Sequence, residues 1–151
     1  MGPPVGQPRP PRTGVAAAEG GSVQVQDAMS TVVLTIGPQH SLRQTAQAMK
    51  ERHVGAAVVV DPDSEGIGII TERDVLGSIA TGQDADAETA GEHLTTDVVY
   101  AAPDWTLEQA AQEMIRHGFR HLVVLDGNDV CGIVSMRDLV RVFLASRTAD
   151  A

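Results

Sequence analysis

One seven-residue pattern occurs twice, at residues 68–74 and 132–138, and this duplication constrains the fold more than any other feature of the sequence. Both copies carry a glycine, two β-branched apolar residues, a hydroxyl residue, a variable residue, an arginine and an aspartate, in that order. An apolar β-branched run is typical of a strand, and a hydroxyl residue followed three positions later by aspartate is typical of a capped helix start. The pattern therefore predicts a hydroxyl and a carboxylate at two helix starts: Thr71 with Asp74, and Ser135 with Asp138.

The duplication extends well beyond this pattern. Residues 27–61 align without a gap on residues 92–126, and the second copy loses one residue in the turn that follows. An internal repeat of this length indicates one supersecondary unit that is used twice, with each copy covering the apolar face of the other.

The order of elements in each copy is predicted as strand, helix, strand, strand, helix. In the first copy, Ser41 begins a capping-box pattern and the apolar spacing after it predicts a helix that ends near His53. The helix that begins after Thr71 is expected to bury Val75, Leu76 and Ile79. The predicted fold class is therefore α+β, a sandwich of two β-α-β-β-α repeats.

The composition changes along the chain and suggests domain boundaries. The first 21 residues are rich in proline and glycine and poor in apolar residues, so they are expected to form a disordered leader. A second stretch, between the copies, is small and acidic and is interpreted as a linker. The predicted organisation is a leader at 1–21, repeat 1 at 22–81, a linker at 82–91, repeat 2 at 92–147 and a tail at 148–151.

Charge and cysteine content exclude several functions. The formal net charge of −9 disfavours nucleic acid and anionic lipid as partners. No apolar run approaches the length of a membrane span. Cys131 is the single cysteine, which excludes a disulfide within the chain and favours a reducing compartment. We therefore expect a cytoplasmic protein without nucleic acid or membrane as a partner.

The repeat resembles the cystathionine-β-synthase (CBS) domain, and two copies in tandem resemble a CBS pair, or Bateman module, of the stand-alone bacterial type. The resemblance covers roughly residues 25–145 and rests on the element order, the duplicated Gly-x-x-Thr/Ser-x-x-Asp pattern and the spacing between the copies. It implies two repeats packed as a pseudo-two-fold pair, adenosine-containing ligands such as AMP, ADP, ATP or S-adenosylmethionine in clefts between the copies, and association as a homodimer. No cofactor is expected to be required.

The residues of the repeated pattern suit a ribose. A carboxylate at a helix start repels phosphate but can accept hydrogen bonds from a vicinal diol, so the phosphate needs separate cations. Arg120 and His121 are candidates for that role, whereas the first copy has Gly55 and Ala56 at the same positions. The resemblance implies that each cleft combines the pattern of one copy with the strands of the other, which would give Arg120 and His121 to the cleft of Asp74.

Other candidate ligand contacts are assigned less directly. Helix capping alone explains part of the hydroxyl-carboxylate pattern. Arg73 and Arg137 could reach a phosphate or could pair with a neighbouring acid and solvent. The resemblance assigns the base-contacting strands to four residues that would otherwise be ordinary core: Val98 and Val99 in one cleft, Val33 and Leu34 in the other.

Neither a metal site nor a catalytic site is predicted from the sequence. The five histidines show no zinc-motif spacing, and His117 and His121 are separated by the helix end expected at Gly118. No nucleophile elbow or P-loop is present. The leading hypothesis is a non-catalytic regulatory module that binds adenosine compounds and signals to an unidentified partner protein or through its own dimer. The alternative is a structural dimer with degenerate ligand clefts.

The homodimer is expected to use an apolar helical face that a tandem pair leaves exposed. The residues predicted on that face are Leu42, Ala46, Met49, Leu107, Ala111 and Met114.

Overall fold

The computed structural model describes residues 22–63 and 66–149, which belong to two compact units. The predicted leader and the last two residues of the predicted tail lie outside the described residues. The elements in chain order are α1 (Val25–Ala28), β1 (Thr35–Ile36), α2 (Leu42–Arg52), β2 (Ala56–Val60), β3 (Ile67–Thr71), α3 (Glu72–Ala80), α4 (Ala90–His93), β4 (Tyr100–Ala101), α5 (Leu107–His117), β5 (His121–Asp126), β6 (Asp129–Ser135) and α6 (Met136–Ala149). This order confirms the predicted α+β class and the two repeats.

Unit 1 comprises the described residues between 33 and 98. Its sheet has the order β1-β2-β3, with β1 parallel to β2 and β2 antiparallel to β3. The end of the hairpin pairs Ala56 with Thr71, and the Glu72 N–H donates to the Gly55 carbonyl at 3.0 Å. The helix start at Thr71 is therefore fixed beside the first residues of β2.

Unit 2 comprises the described residues 22–32 and 99–149. Its sheet repeats the same topology in the order β4-β5-β6, with a register irregularity between Val124 and Leu125. The hairpin end pairs His121 with Ser135, and the Met136 N–H donates to the Arg120 carbonyl at 2.8 Å. The equivalent helix start is thus built in the same way in both units.

The short helix α1 precedes the strands of repeat 1 but belongs to unit 2, which contains the sheet of repeat 2. The short helix α4 precedes the strands of repeat 2 but belongs to unit 1, which contains the sheet of repeat 1. After α4, Thr95 exchanges backbone hydrogen bonds of 2.8 and 3.0 Å with Ile69 of β3 in unit 1. After α1, Ser30 exchanges equivalent bonds of 2.8 and 3.0 Å with Ile133 of β6 in unit 2. Each unit therefore consists of the sheet of one repeat and the leading helix of the other.

Local sequence signals explain where the long helices begin and end. Ser41 accepts a hydrogen bond from the Gln44 N–H at 3.1 Å, and the Gln44 side chain accepts from the Ser41 N–H at 3.0 Å. Thr106 caps α5 in the same way. The helices end at His53 and Gly118 in the left-handed conformation that typically terminates an α-helix. The predicted capping box and the predicted end near His53 are confirmed.

Each unit has its own apolar core, and two predictions about exposure are wrong. Leu42 and Met49 are buried in the core of unit 1, and Met114 is buried in the core of unit 2. The helical face that contains them thus packs inward and is not an exposed dimer surface. Conversely, Leu76 and Ile79 of α3 are 67% and 54% exposed, because Val75 and Ser78 occupy its inward face.

Within the described part of the chain, no helix combines the length and the hydrophobicity needed to cross a membrane.

Candidate functional site

The two repeated hydroxyl-carboxylate pairs form closely similar helix starts. In unit 1, the Asp74 carboxylate accepts hydrogen bonds through Oδ2 from the Thr71 N–H at 2.8 Å and the Thr71 hydroxyl at 3.1 Å. In unit 2, Asp138 Oδ2 accepts from the Ser135 N–H at 2.8 Å, and the Asp138 N–H donates to the Ser135 hydroxyl at 3.1 Å. The capping interpretation is correct, and it engages Oδ2 of each aspartate.

The residue one helical turn beyond each aspartate differs between the two units. In unit 2, Arg141 Nη2 lies 3.4 Å from Asp138 Oδ1, one helical turn further along α6. The corresponding position on α3 is Gly77, which has no side chain that could contact Asp74. Sequence analysis missed this difference, although comparing the two copies position by position would have found it.

The predicted phosphate-binding residues lie beside the helix start of their own unit. Arg120 immediately precedes β5, and its carbonyl accepts a hydrogen bond from the first residue of α6, while His121 pairs with Ser135 across the hairpin. Arg120 and Arg137 are both exposed. Unit 2 thus brings Arg120, His121 and Arg137 to the same end of its sheet as Asp138. Their predicted association with Asp74 stays a prediction.

The charges around the two helix starts are opposite in sign. At four corresponding positions, unit 2 has Arg120, Met136, Arg137 and Arg141, which is three cations beside one aspartate. The equivalents in unit 1 are Gly55, Glu72, Arg73 and Gly77, which is one cation beside one aspartate and one glutamate. Arg73 is exposed on the first turn of α3. An anion is therefore favoured at the helix start of unit 2 and disfavoured at that of unit 1.

The predicted base-contacting residues lie just before the first strand of each sheet. The Leu34 carbonyl accepts from the Val58 N–H at 2.9 Å, and the Leu34 side chain is buried in the core of unit 1. Val98 is also buried, whereas Val33 and Val99 are half-buried. The side chains of Leu34 and Val98 are thus core residues, as the structural interpretation of this apolar stretch predicted.

Two titratable groups in unit 2 are shifted by burial. Burial raises the pKa of Tyr100 to about 12. Burial, with a contribution from the negative charge of Asp126, raises the pKa of the Cys131 thiol. Both groups are thus kept protonated at neutral pH, which argues against a nucleophilic role for Cys131.

Comparisons with known proteins identify relatives that cover most of the chain. The family model for the CBS domain matches residues 25–81 and 90–145. The CBS domain-containing protein YhcV of Bacillus subtilis is 36% identical over 130 residues, which cover 84% of this chain and 90% of that protein.

Solved structures share the fold. A putative signal-transduction protein with CBS domains from Burkholderia ambifaria matches with a TM-score of 0.76 and 28% identity, covering 82% of this chain and 95% of the other. A CBS domain protein from Pyrobaculum aerophilum, solved as a complex with AMP, matches with a TM-score of 0.69 and 23% identity, covering 82% and 99%.

Proposed function

The chain belongs to the CBS domain family, and from this premise we propose that it is a non-catalytic regulatory module that binds adenosine-containing ligands. AMP, ADP and ATP are the favoured ligands, and S-adenosylmethionine is a further member of the same chemical class. The AMP complex of the Pyrobaculum aerophilum protein, which has the same fold, supports this class of ligand. The residues that would recognise it are those of the two repeated helix starts.

The ribose is the part of the ligand that the aspartates suit best. Oδ2 of Asp74 and of Asp138 is engaged by the backbone N–H of the capping residue. A carboxylate has about four acceptor positions on its two oxygens, so this bond leaves capacity for the hydroxyls of a ribose diol. The capping bonds also fix the side-chain orientation, which reduces the entropic cost of binding.

The observation that carries the proposal is the group of arginines near Asp138. Arg141 contacts this carboxylate, Arg137 adjoins it in the sequence, and Arg120 precedes β5 at the same end of the hairpin, in a chain with a formal net charge of −9. A cluster of arginines around one diol acceptor suits a ligand that has both a ribose and a phosphate. We propose that Asp138, Ser135, Arg120 and Arg137 bind a nucleotide, with His121 beside them.

The helix start of unit 1 suits a ligand without a phosphate. Thr71 and Asp74 offer the same diol contacts. The positively charged Arg120 and Arg141 of unit 2 are replaced by glycines at positions 55 and 77, and Glu72 adds a negative charge. We propose that Asp74 and Arg73 bind an adenosine moiety that carries little negative charge. This assignment is the reverse of the one that the family resemblance implied for Arg120, and mutagenesis separates the two.

A thermal-shift and calorimetric screen tests the proposed function. The compounds are AMP, ADP, ATP, S-adenosylmethionine and adenosine, with guanosine monophosphate as the control for the base. A ligand at a hundred times its Kd stabilises the native state by about 2.7 kcal/mol, which is easily measured. If none of the adenosine compounds raises the melting temperature or binds in calorimetry, the proposal is wrong and the degenerate structural module becomes the better interpretation.

Exposed apolar residues on α3 and α6 support a homodimer as the signalling form. Leu76 and Ile79 on α3, and Val140, Phe143 and Leu144 on α6, are all more than half exposed. Apolar residues grouped in this way on a helix are typical of association surfaces. We propose that these helices form the dimer contact and that ligand binding is transmitted through α6, which begins at the Ser135 cap, to the dimer or to a partner protein.

A further inference from the structure

Three side chains around the start of α4 have the composition of a metal-binding set. Glu88, Glu92 and His93 each offer one ligand atom, and these atoms all lie within 4.8 Å of one another. His93 Nε2 is 3.7 Å from Glu88 Oε2. Glu88 and His93 are largely buried, with side-chain exposures of 20% and 19%. No other group of three such residues is found within the described ranges 22–63 and 66–149.

The backbone that carries these side chains is anchored within unit 1. The Glu88 carbonyl accepts from the Leu42 N–H at 2.9 Å, and the Ala90 and Gly91 N–H groups each donate to carbonyls of the 37–41 loop at 2.8 Å. A Cβ on Gly91 would lie 3.0 Å from the Pro38 carbonyl oxygen, so the two segments pack closely. The backbone that carries the three side chains is therefore anchored to residues 38–42.

One ligand of the set is also oriented by a neighbour. The Thr89 hydroxyl donates to Glu92 Oε1 at 3.0 Å. Outer hydrogen bonds of this kind orient metal-ligating carboxylates and are common in metal sites. The two glutamates place like charges near each other, and a bound cation would relieve their repulsion.

We propose that Glu88, Glu92 and His93 bind a divalent transition-metal ion, with Zn²⁺ as the best fit. One imidazole nitrogen and two carboxylate oxygens suit Zn²⁺, whereas Ca²⁺ and Mg²⁺ take oxygen ligands only. Three protein ligands leave room for a water molecule as the fourth. The corresponding residues around α1, which belongs to unit 2, are Val23, Asp27 and Ala28. The set around α4 in unit 1 therefore has no equivalent there. The proposal does not depend on nucleotide binding.

No sequence motif indicates this set, since the spacing of residues 88, 92 and 93 matches no zinc signature. The three side chains converge because Glu88 precedes the helix, where the chain turns, while Glu92 and His93 lie on it.

Equilibrium dialysis of the untagged, chelator-treated protein against Zn²⁺, with metal content measured by mass spectrometry, tests the site. We expect one Zn²⁺ per chain and at least a hundredfold preference over Ca²⁺ and Mg²⁺. Glu92→Gln and His93→Gln should each weaken Zn²⁺ binding at least tenfold. The matched control is His117→Gln in unit 2, because His117 Nε2 contacts Glu113 at 3.1 Å and the described residues supply no third ligand to this pair.

Circular dichroism and the melting temperature of the metal-free variants establish that each is folded. Substoichiometric Zn²⁺ binding by the folded wild-type chain would overturn the proposal. So would Zn²⁺ affinities of Glu92→Gln and His93→Gln equal to that of the wild type, or an equal loss in the His117→Gln control.

Discussion

Arg141 Nη2 lies 3.4 Å from Asp138 Oδ1, and the residue that occupies the position of Arg141 in the first repeat is Gly77. This contact pairs a guanidinium with the carboxylate that is proposed to accept the ribose hydroxyls. The Arg141 side chain is 64% exposed, so the ion pair itself contributes little to stability. Its larger consequence is a cation beside the carboxylate that is proposed to accept the ribose hydroxyls.

The first prediction concerns this arginine. Arg141→Gly should weaken AMP binding roughly twofold to fivefold, which corresponds to about 0.4–1 kcal/mol for an exposed charge, and should leave adenosine binding unchanged. Isothermal titration calorimetry with both ligands measures the two effects. Arg116→Ala is the control, because Arg116 is also exposed and pairs with an acid one turn away, Glu113. Equal losses for AMP and adenosine would show that Arg141 does not act on the phosphate.

The second prediction decides which aspartate shares a ligand with Arg120. A charge-assisted contact is worth about 1.5–3 kcal/mol, so Arg120→Ala should weaken AMP binding by one to two decades. In an Asp138→Asn background, Arg120→Ala should cause no further loss, because the nucleotide site is already impaired. In an Asp74→Asn background it should cause the full loss. Asparagine is used because it keeps the ability to cap a helix.

The opposite pattern would support the assignment that the family resemblance implied. If Arg120→Ala weakens AMP binding in the Asp138→Asn background but not in the Asp74→Asn background, Arg120 serves the ligand of Asp74. Calorimetry on the three single and two double variants distinguishes the two outcomes.

Much of the fold could be predicted because it depends on neighbouring residues in the chain. The box of Ser41 and Gln44 is completed within one turn, and Gly118 ends α5 through its own backbone conformation. The direction in which a helix faces is a tertiary property. The apolar spacing on α3 predicted Val75, Leu76 and Ile79 as core. Val75 is buried as predicted, but the second buried residue of the helix is Ser78, while Leu76 and Ile79 are exposed.

The partner of each leading helix could not be predicted for the same reason. The local sequence around α1 does not indicate whether Ser30 pairs with Ile133, as it does, or with Ile69. The two repeats have similar strands, so only the connection lengths and the packing of the complete chain decide between them.

The third prediction compares alanine substitutions at Gly132, which is closely packed, and at Gly77, which has open space beside it. A Cβ on Gly132 would lie 2.6 Å from the Ser30 carbonyl oxygen, which two backbone hydrogen bonds hold in place. Gly132→Ala should therefore destabilise the protein by about 1–3 kcal/mol. Gly77 lies inside α3, and a Cβ there would meet no atom within 4 Å other than the nearby backbone of α3 itself, so Gly77→Ala should stabilise the protein by about 0.5–1 kcal/mol. Urea denaturation measures both, and a stabilising Gly132→Ala would contradict the close contact.

The fourth prediction tests the dimer surface on α6. Phe143 and Leu144 are 53% and 57% exposed, and a lysine there would place a charge inside the proposed contact. Phe143→Lys should therefore shift the protein from dimer to monomer at micromolar concentration in light scattering coupled to size exclusion. Ile115→Lys is the control, because Ile115 is 75% exposed on α5, a helix that is not part of the proposed surface. A wild-type monomer, or equal dissociation by both variants, would exclude this surface.

The fifth prediction follows from the burial of Tyr100, the single tyrosine of the chain, whose phenolate absorbance therefore reports one group. Burial raises its pKa to about 12, against about 10 in an unfolded chain. Between these values the native state retains a proton that the unfolded state releases, so the free energy of unfolding should fall as the pH rises through this window. Tyr100→Phe should remove that part of the pH dependence, while both proteins should behave alike below about pH 9. A native phenolate titration centred near pH 10, equal to that in urea, would show that Tyr100 is accessible to water and that the predicted loss of stability has no basis.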